Sequence, residues 1–260
     1  MPKKLAENTA SIMTLEELNE SRARALNEVP GNLKDCDCKD CRNKGYIAYV
    51  SDAGTIRTRS CRCMAVRDSA KRIRESGLSE LLEKCSIEKF DTGLPWQQKM
   101  KAAAEAYLEK GRGKWFAVSG TPGTGKTFLC TAICGEMLKR GYSVRYFVWR
   151  KDAPRLKSMI SEDYDAYEKA MRDYTECDVL YIDDFFKGKV TEADINLAFE
   201  LLNARYNRET AAGTIISSEL EADQILSLDE GLGSRIVQRA RGFMILTPKE
   251  NLRLKRTSNA

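Results

Sequence analysis

The clearest chemistry in the chain sits in Gly120-Thr121-Pro122-Gly123-Thr124-Gly125-Lys126-Thr127, which fits G-x-x-x-x-G-K-[ST] without a mismatch. Glycines at these positions let backbone N–H groups close around phosphates at a helix N-terminus. Lys126 is placed to reach the β- and γ-phosphates, and the Thr127 hydroxyl to ligate Mg²⁺. A second acidic element follows Val179-Leu180-Tyr181-Ile182, an apolar strand that runs into Asp183-Asp184. There Asp183 is expected to hold Mg²⁺ through water, and Asp184 to orient or deprotonate the attacking water. An acidic turn after a strand is common, so this element gains its force from the phosphate loop. Together the two predict binding and hydrolysis of a nucleoside triphosphate.

A second chemistry comes from sulfur. Five of the nine cysteines fall between Cys36 and Cys63, and in a reducing cytosol such clustering points to a metal rather than to disulfides. Tyr46–Val50 and Thr55–Arg59 around the turn Ser51-Asp52-Ala53-Gly54 read as a hairpin that brings Cys38 and Cys41 to Cys61 and Cys63. Four thiolates suit tetrahedral Zn²⁺ in a closed, structural site. Cys36 is the spare, and a choice between Cys36 and Cys41 stays open, as does a cluster of free thiols. The absence of histidine excludes Ser-His-Asp and Cys-His catalysis and any His-ligated metal.

The elements that must position these groups follow the same order. Residues 1–12 read as disordered. Thr14 opens a capping box with Glu17, and Leu15, Leu18, Ala25, Leu26 and Val29 line one face of a short helix ended by Pro30-Gly31. That face can serve a partner or pack on its own domain. Seven basic residues against one acid between Arg57 and Arg74 read as a phosphate-facing segment or as a solvated helix face. Ser76-Gly77 ends this helix, and Phe90 to Pro95 is a linker. Beyond it, Trp96–Lys110 is a helix, Trp115–Ser119 a buried strand, and Phe128–Arg140 a helix closed by Gly141. Strands at Ser143–Trp149, Val179–Ile182, Thr214–Ser218 and Gly242–Thr247 alternate with helices, among them Glu192–Tyr206 with Ile195, Ala198, Phe199, Leu202 and Tyr206 inward. This alternation predicts a parallel α/β sheet with its ligand at the carboxyl ends of the strands.

The 260 residues accommodate a core domain plus a smaller module, expected at 90–260 and 1–89. The net charge of +5 is mildly basic, and no apolar run approaches the roughly 20 residues that span a bilayer. With no secretory leader at Met1-Pro2-Lys3-Lys4, a cytoplasmic protein without membrane contact is expected.

With these residues in place, the chain resembles the AAA+ replicative helicase loaders of the DnaC/DnaI type, in the form common in phages of low-GC Gram-positive bacteria. The resemblance runs through Cys38-x-x-Cys41 with Asn43-Lys44-Gly45-Tyr46, Cys61-x-Cys63-Met64, Ser76-Gly77-Leu78 and Trp96-Gln97. It continues through the P-loop, Asp178–Lys187, Ile216-Ser217-Ser218-Glu219 and Gly233-Ser234-Arg235-Ile236. It implies a P-loop AAA+ sheet sandwiched by helices, without a C-terminal lid and preceded by a small zinc-binding α+β module. It implies an ATPase that binds the replicative hexameric helicase through its N-terminal domain, self-associates, and places the ring on single-stranded DNA with ATP as the switch. The residues implied at the nucleotide are Gly120 through Thr127, with Phe128, and Arg253 at the sensor-2 position, where Leu252 replaces the usual aromatic. Arg235 matches the arginine finger that acts on ATP of a neighbouring subunit. The polar sensor falls to Ser217 or Ser218, because Glu219 stands where many relatives carry Asn and a carboxylate there would repel the γ-phosphate. Adenine rather than guanine is implied by the family, and no N-K-x-D motif appears.

Three other readings share these motifs. One is a transposition ATPase of the IstB kind. Another is a small-molecule kinase, for which neither an arginine-rich lid nor a substrate pocket is apparent. The third is a zinc-bearing DNA-binding adaptor switched by ATP.

Overall fold

A computed structural model of the chain describes residues 13–34, 37–75, 79–208 and 213–249. The expectations for residues 1–12, Cys36, Ser76-Gly77 and Arg253 lie outside them. Two compact units result, Met1–Arg67 and Asp68–Ala260. The division falls upstream of residue 89, and Cys85, Ile87 and Phe90 are buried in a core cluster of the larger unit.

In the smaller unit, helix α1 (Leu15–Glu28) starts at the expected capping box. Thr14 N–H donates to Glu17 Oε2 at 2.8 Å and Glu17 N–H to Thr14 Oγ1 at 3.2 Å. Strands β1 (Tyr46–Val50) and β2 (Ile56–Ser60) form an antiparallel hairpin, from Tyr46 opposite Ser60 to Val50 opposite Ile56. The face of α1 that meets the hairpin is not the apolar stripe. Ala23 is the buried residue, while Leu15, Leu26 and Val29 are exposed. Polar side chains make the contact instead. Asn27 donates to Ala48 O at 2.8 Å and accepts from Ala48 N–H at 2.9 Å, and Asn19 donates to Gly54 O at 2.9 Å. At the far end of α1, Arg42 Nη1 donates to Glu28 O at 2.8 Å and Lys44 Nζ donates to Leu26 O, which satisfies carbonyls that a helix end leaves unpaired. Helix α2 (Arg62–Glu75) follows the hairpin, and the short α3 (Ser79–Lys84) comes next in the chain.

The larger unit holds a five-stranded sheet of β3 (Trp115–Ser119), β4 (Val144–Val148), β5 (Val179–Phe185), β6 (Gly213–Ser218) and β7 (Met244–Leu246). Its order is β4-β5-β6-β3-β7 and every pair is parallel. Because side chains alternate across a strand, the sheet divides two cores. Phe116, Val118, Val144, Val179, Tyr181 and Ile215 face α4 (Pro95–Lys110) and α5 (Lys126–Lys139). Trp115, Ala117, Phe147, Leu180, Ile182 and Ile216 face α6 (Trp149–Glu162), α7 (Tyr164–Glu176) and α8 (Glu192–Tyr206), with α9 (Ala222–Leu228) and α10 (Glu230–Arg239) alongside. On α8 the fully buried stripe is Leu197, Ala198, Leu201 and Leu202, and Ile195, Phe199 and Tyr206 flank it half-buried, one position round from the expected face.

The stripe on α8 continues into Arg205, which is 1% exposed. Its guanidinium has no carboxylate partner in the described structure. It donates instead to Thr214 Oγ1 at 2.9 Å, to the carbonyls of Tyr174, Thr175 and Cys177 at 2.9–3.0 Å, and to Gly213 O at 2.6 Å. It thereby joins the end of α7 to the starts of β5 and β6. Deleting it orphans several buried acceptors at once. Arg205→Ala is therefore expected to lower unfolding stability by about 3 kcal/mol, read as a fall in the urea midpoint at unchanged m-value. A shift below about 0.5 kcal/mol would contradict this account.

Candidate nucleotide site and cysteine cluster

The phosphate loop lies between β3 and α5, as its flanking sequence requires. Gly120, Gly123 and Gly125 take φ of 115°, 82° and 86°, values that side chains rarely adopt. A Cβ on Gly120 would stand 2.5 Å from Thr247 Oγ1. Thr247, just past β7, donates its N–H to Ser119 O at 2.8 Å, and its hydroxyl accepts from Thr124 Oγ1 at 3.2 Å, so the far strand of the sheet buttresses the loop. Lys126 Nζ donates to Gly120 O at 2.7 Å and Thr121 O at 2.8 Å. Burial pushes its ammonium below the usual lysine value, against the pull of the Glu219 and Asp184 carboxylates. Phe128, in the first turn of α5, is half-buried with its ring 5.9 Å from that of Phe90, and Phe90 also backs Gly125. Pro122 is exposed at the tip.

The paired aspartates reach this loop through a break in strand register. Ile182 pairs with Ile216 and Phe185 with Ser218, so two residues of β5 oppose Ser217 alone. This is a bulge, a device that re-aims side chains. Asp184 takes φ 54°, a left-handed conformation that Asp tolerates, and its N–H donates to Ser217 Oγ at 3.2 Å. Two consecutive carboxylates of one strand can thus both serve the loop side of the sheet.

Hydroxyls from four elements converge on Asp183. Oδ1 accepts from Thr127 Oγ1 of α5 at 3.2 Å, from Tyr181 OH of β5 at 2.8 Å and from Ser217 Oγ of β6, and Oδ2 accepts from Tyr146 OH of β4 at 2.7 Å. Burial and the neighbouring Asp183 charge push the Tyr146 phenol far up, and burial does the same for Tyr181, so both stay protonated as donors. Thr127 and Asp183 together offer the hard oxygen donors that Mg²⁺ takes. Neither tyrosine was singled out from sequence, where both read as strand aromatics. Strand alternation was the available signal, since each shares a sheet face with Asp183.

Alternation also separates the two serines. Ser217 follows Ile215 onto the α5 face and meets both aspartates. Ser218 follows Ile216 onto the other face, where its hydroxyl donates to Phe185 O at 2.8 Å and accepts from Leu220 N–H at 3.0 Å. Arg235, on α10, lies over the rings of Phe199 at 5.0 Å and Tyr206 at 5.5 Å and donates to Gly231 O at 2.6 Å. Among the described residues, the structure does not join Arg235 to the other predicted site residues within the chain.

In the smaller unit, the Sγ atoms of Cys38, Cys41, Cys61 and Cys63 all lie within 4.8 Å of one another, with Cys41–Cys63 at 3.4 Å and Cys38–Cys61 at 3.7 Å. A tetrahedron with Zn–S bonds of about 2.3 Å has edges of about 3.8 Å, so the four sulfurs fit a zinc ion. The turn after Cys41 runs through Arg42 and Asn43 at positive φ to Gly45 at φ 83°, which turns the Gly45 N–H onto Cys41 Sγ at 3.4 Å. Burial opposes ionisation of Cys41, but this N–H and the neighbouring thiols outweigh it and hold the group down at about 6. Asn43 Oδ1 braces the same turn by accepting from Cys38 N–H at 2.9 Å and Arg67 Nη2 at 3.2 Å.

Comparison with known proteins agrees with this geometry. The family model described as "IstB-like ATP binding protein" matches residues 59–260. The chain is 29% identical to the phage-like element PBSX protein XkdC of Bacillus subtilis, over 89% of this chain and 91% of that one. It is 26% identical to the replicative helicase loader DnaC of Escherichia coli, over 75% of this chain and 79% of that one. Among solved structures, the crystal structure of the DnaC helicase loader superposes with a TM-score of 0.55 at 19% identity, covering 65% of this chain and all of the other, which is a likeness of fold. No helix among the described residues is long and apolar enough to cross a membrane.

Two measurements check the site. The purified chain is expected to carry about one zinc by elemental analysis, and Cys41→Ser or Cys61→Ser to lose most of it. Tyr146→Phe is expected to raise the Mg²⁺ concentration needed for half-maximal ATP hydrolysis several-fold, about the effect of one outer-sphere partner. An unchanged Mg²⁺ dependence would remove Tyr146 from the site.

Proposed function

Because the chain belongs to the IstB-like ATP-binding protein family, we propose that it is an ATP-dependent loader of a replicative hexameric DNA helicase onto single-stranded DNA. What carries this reading is the match to the Escherichia coli loader over 79% of that protein's length. In this reading the P-loop backbone and Lys126 hold the triphosphate, Thr127 and Asp183 hold Mg²⁺, Asp184 orients the attacking water and Ser217 senses the γ-phosphate. The water-activating role falls to Asp184 because Asp183, which accepts from the Thr127 hydroxyl, stands with Thr127 as the Mg²⁺ pair.

The site is completed between subunits of an oligomer, where Arg235 of one copy stabilises the charge spreading over the γ-phosphate bound by the next. Its guanidinium lies over the rings of Phe199 and Tyr206 at 5.0 and 5.5 Å, contacts that restrict its direction before assembly. The zinc-bound unit and α1 form the helicase-binding domain, and the exposed Leu15, Leu26 and Val29 are the helix face offered to the partner. A transposition ATPase of the IstB kind is the second reading, favoured by the description of the family itself. Both readings place the protein in the cytoplasm.

Size-exclusion chromatography with light scattering separates the two. The loader is expected to co-elute with a cognate hexameric helicase only when ATP is present. ATP-dependent assembly on duplex DNA without helicase binding would favour transposition, and would sink the loader reading. Lys126→Ala is expected to abolish ATP binding. Arg235→Ala is expected to keep ATP binding and lose hydrolysis on the order of 10³-fold. Mixing the two inactive variants should restore part of the turnover, since one supplies the P-loop site and the other the arginine. No recovery on mixing would place Arg235 outside a shared site.

A further inference from the structure

The sequence leaves a conflict at Glu219, whose carboxylate follows β6 beside the expected γ-phosphate position. The structure supplies a partner for it. Lys187 lies just past the bulged end of β5, between Phe186 at φ 58° and Gly188 at φ 107°. Its Nζ meets Glu219 Oε1 at 2.8 Å, and Asp184 Oδ2 and Oδ1 at 3.1 and 3.2 Å. One ammonium therefore spans the carboxylates at the ends of two neighbouring strands. These charges adjoin the phosphate loop. Glu219 and Asp184 are the carboxylates that act most strongly on the Lys126 ammonium, and Lys187 is the cation that opposes them.

The loop that carries Lys187 is held for this purpose by packing rather than by its own preference. A left-handed phenylalanine is strained. Phe186 is nonetheless 1% exposed, stacked on Phe185 at 4.0 Å and edge-on to Trp149 at 5.1 Å. Burial of that ring anchors the turn that returns Lys187 to the strand ends.

We propose that Lys187 is a positioning residue for the nucleotide. By pairing with Glu219 and Asp184 together, it cancels the repulsion that two carboxylates would exert on a bound triphosphate, and it fixes Asp184 where the attacking water is to be met. The first half depends only on a triphosphate bound at Lys126. The second rests on the role given to Asp184 under the proposed function.

The test is a charge cycle read by binding of a fluorescent N-methylanthraniloyl ATP with Mg²⁺. Lys187→Met leaves Glu219 unpaired, and is expected to weaken binding about tenfold. Adding Glu219→Gln to that variant removes the repelling charge, and should bring the affinity back to within about threefold of the parent. Lys187→Arg keeps the charge and should stay near the parent. Because all three side chains are partly exposed, these variants are expected to fold, and Lys187→Gln gives the same reading if the methionine variant aggregates. Unchanged binding in Lys187→Met would overturn the proposal. So would a double variant as weak as Lys187→Met, since that means the lysine contacts phosphate directly. Asp184→Asn is measured alongside for kcat. If it turns over normally, the role given to Asp184 fails, whatever the affinities of the charge cycle show.

Discussion

The position of one carboxylate governs the larger unit. Asp183 collects hydroxyls from α5, β4, β5 and β6, so the phosphate-loop helix and three adjacent strands are referenced to a single group. Such a centre is stiff because each donor sits on regular secondary structure rather than on a long flexible stem. It is also intolerant. A carboxylate buried among aromatic and aliphatic neighbours relies on those donors, and losing one removes a hydrogen bond from a buried acceptor. The bulge in β5 follows from the same demand. A regular strand would send Asp184 to the opposite face from Asp183, and the extra residue against Ser217 keeps both near the phosphate loop.

The two ends of the sheet are stabilised by different means. At the carboxyl ends, the groups that must meet a ligand are held by side-chain hydroxyls and by the Thr247 buttress. At the opposite ends, Arg205 gathers the free carbonyls of α7, β5 and β6 into one guanidinium fork. Between them lie the two apolar cores, separated by the alternation of the strands. This division lets the functional end carry a left-handed aspartate and a left-handed phenylalanine without loosening the frame.

Legibility from sequence tracked how local each constraint is. The phosphate loop, the capping box at Thr14 and the four cysteines are set by residues close together in the chain or by element types that require one another, and they were readable at once. The family pattern added Arg235, which no spacing rule would have picked out. Tyr146 and Tyr181 were missed because a tyrosine in an apolar strand looks like core, and only the pairing of β4 with β5 puts both phenols on one aspartate. Arg205 was missed for the opposite reason. Its charge suggested solvent, although its spacing from Leu201 and Leu202 already placed it on the buried stripe. The stripe on α8 was misplaced by one position, since Phe199 and Tyr206 are apolar enough for a core yet serve as a stacking surface for Arg235. Glu219 reads as repulsive in the sequence because its partner Lys187 is distant by more than one element. Each of these depends on contacts between strands or helices whose order the sequence states only indirectly.

The double contact of Asn27 with Ala48 has a consequence for the small unit in a crowded cell. Among the described residues β1 pairs with β2 alone, and an unpaired strand edge is a template on which other chains can add. By giving and taking a hydrogen bond at the same residue, the Asn27 amide imitates one link of a neighbouring strand. Helix α1 therefore occludes the edge at its midpoint with a group that cannot propagate a sheet. For a two-stranded ribbon of this size, a single carboxamide thus takes the place that a further strand would need.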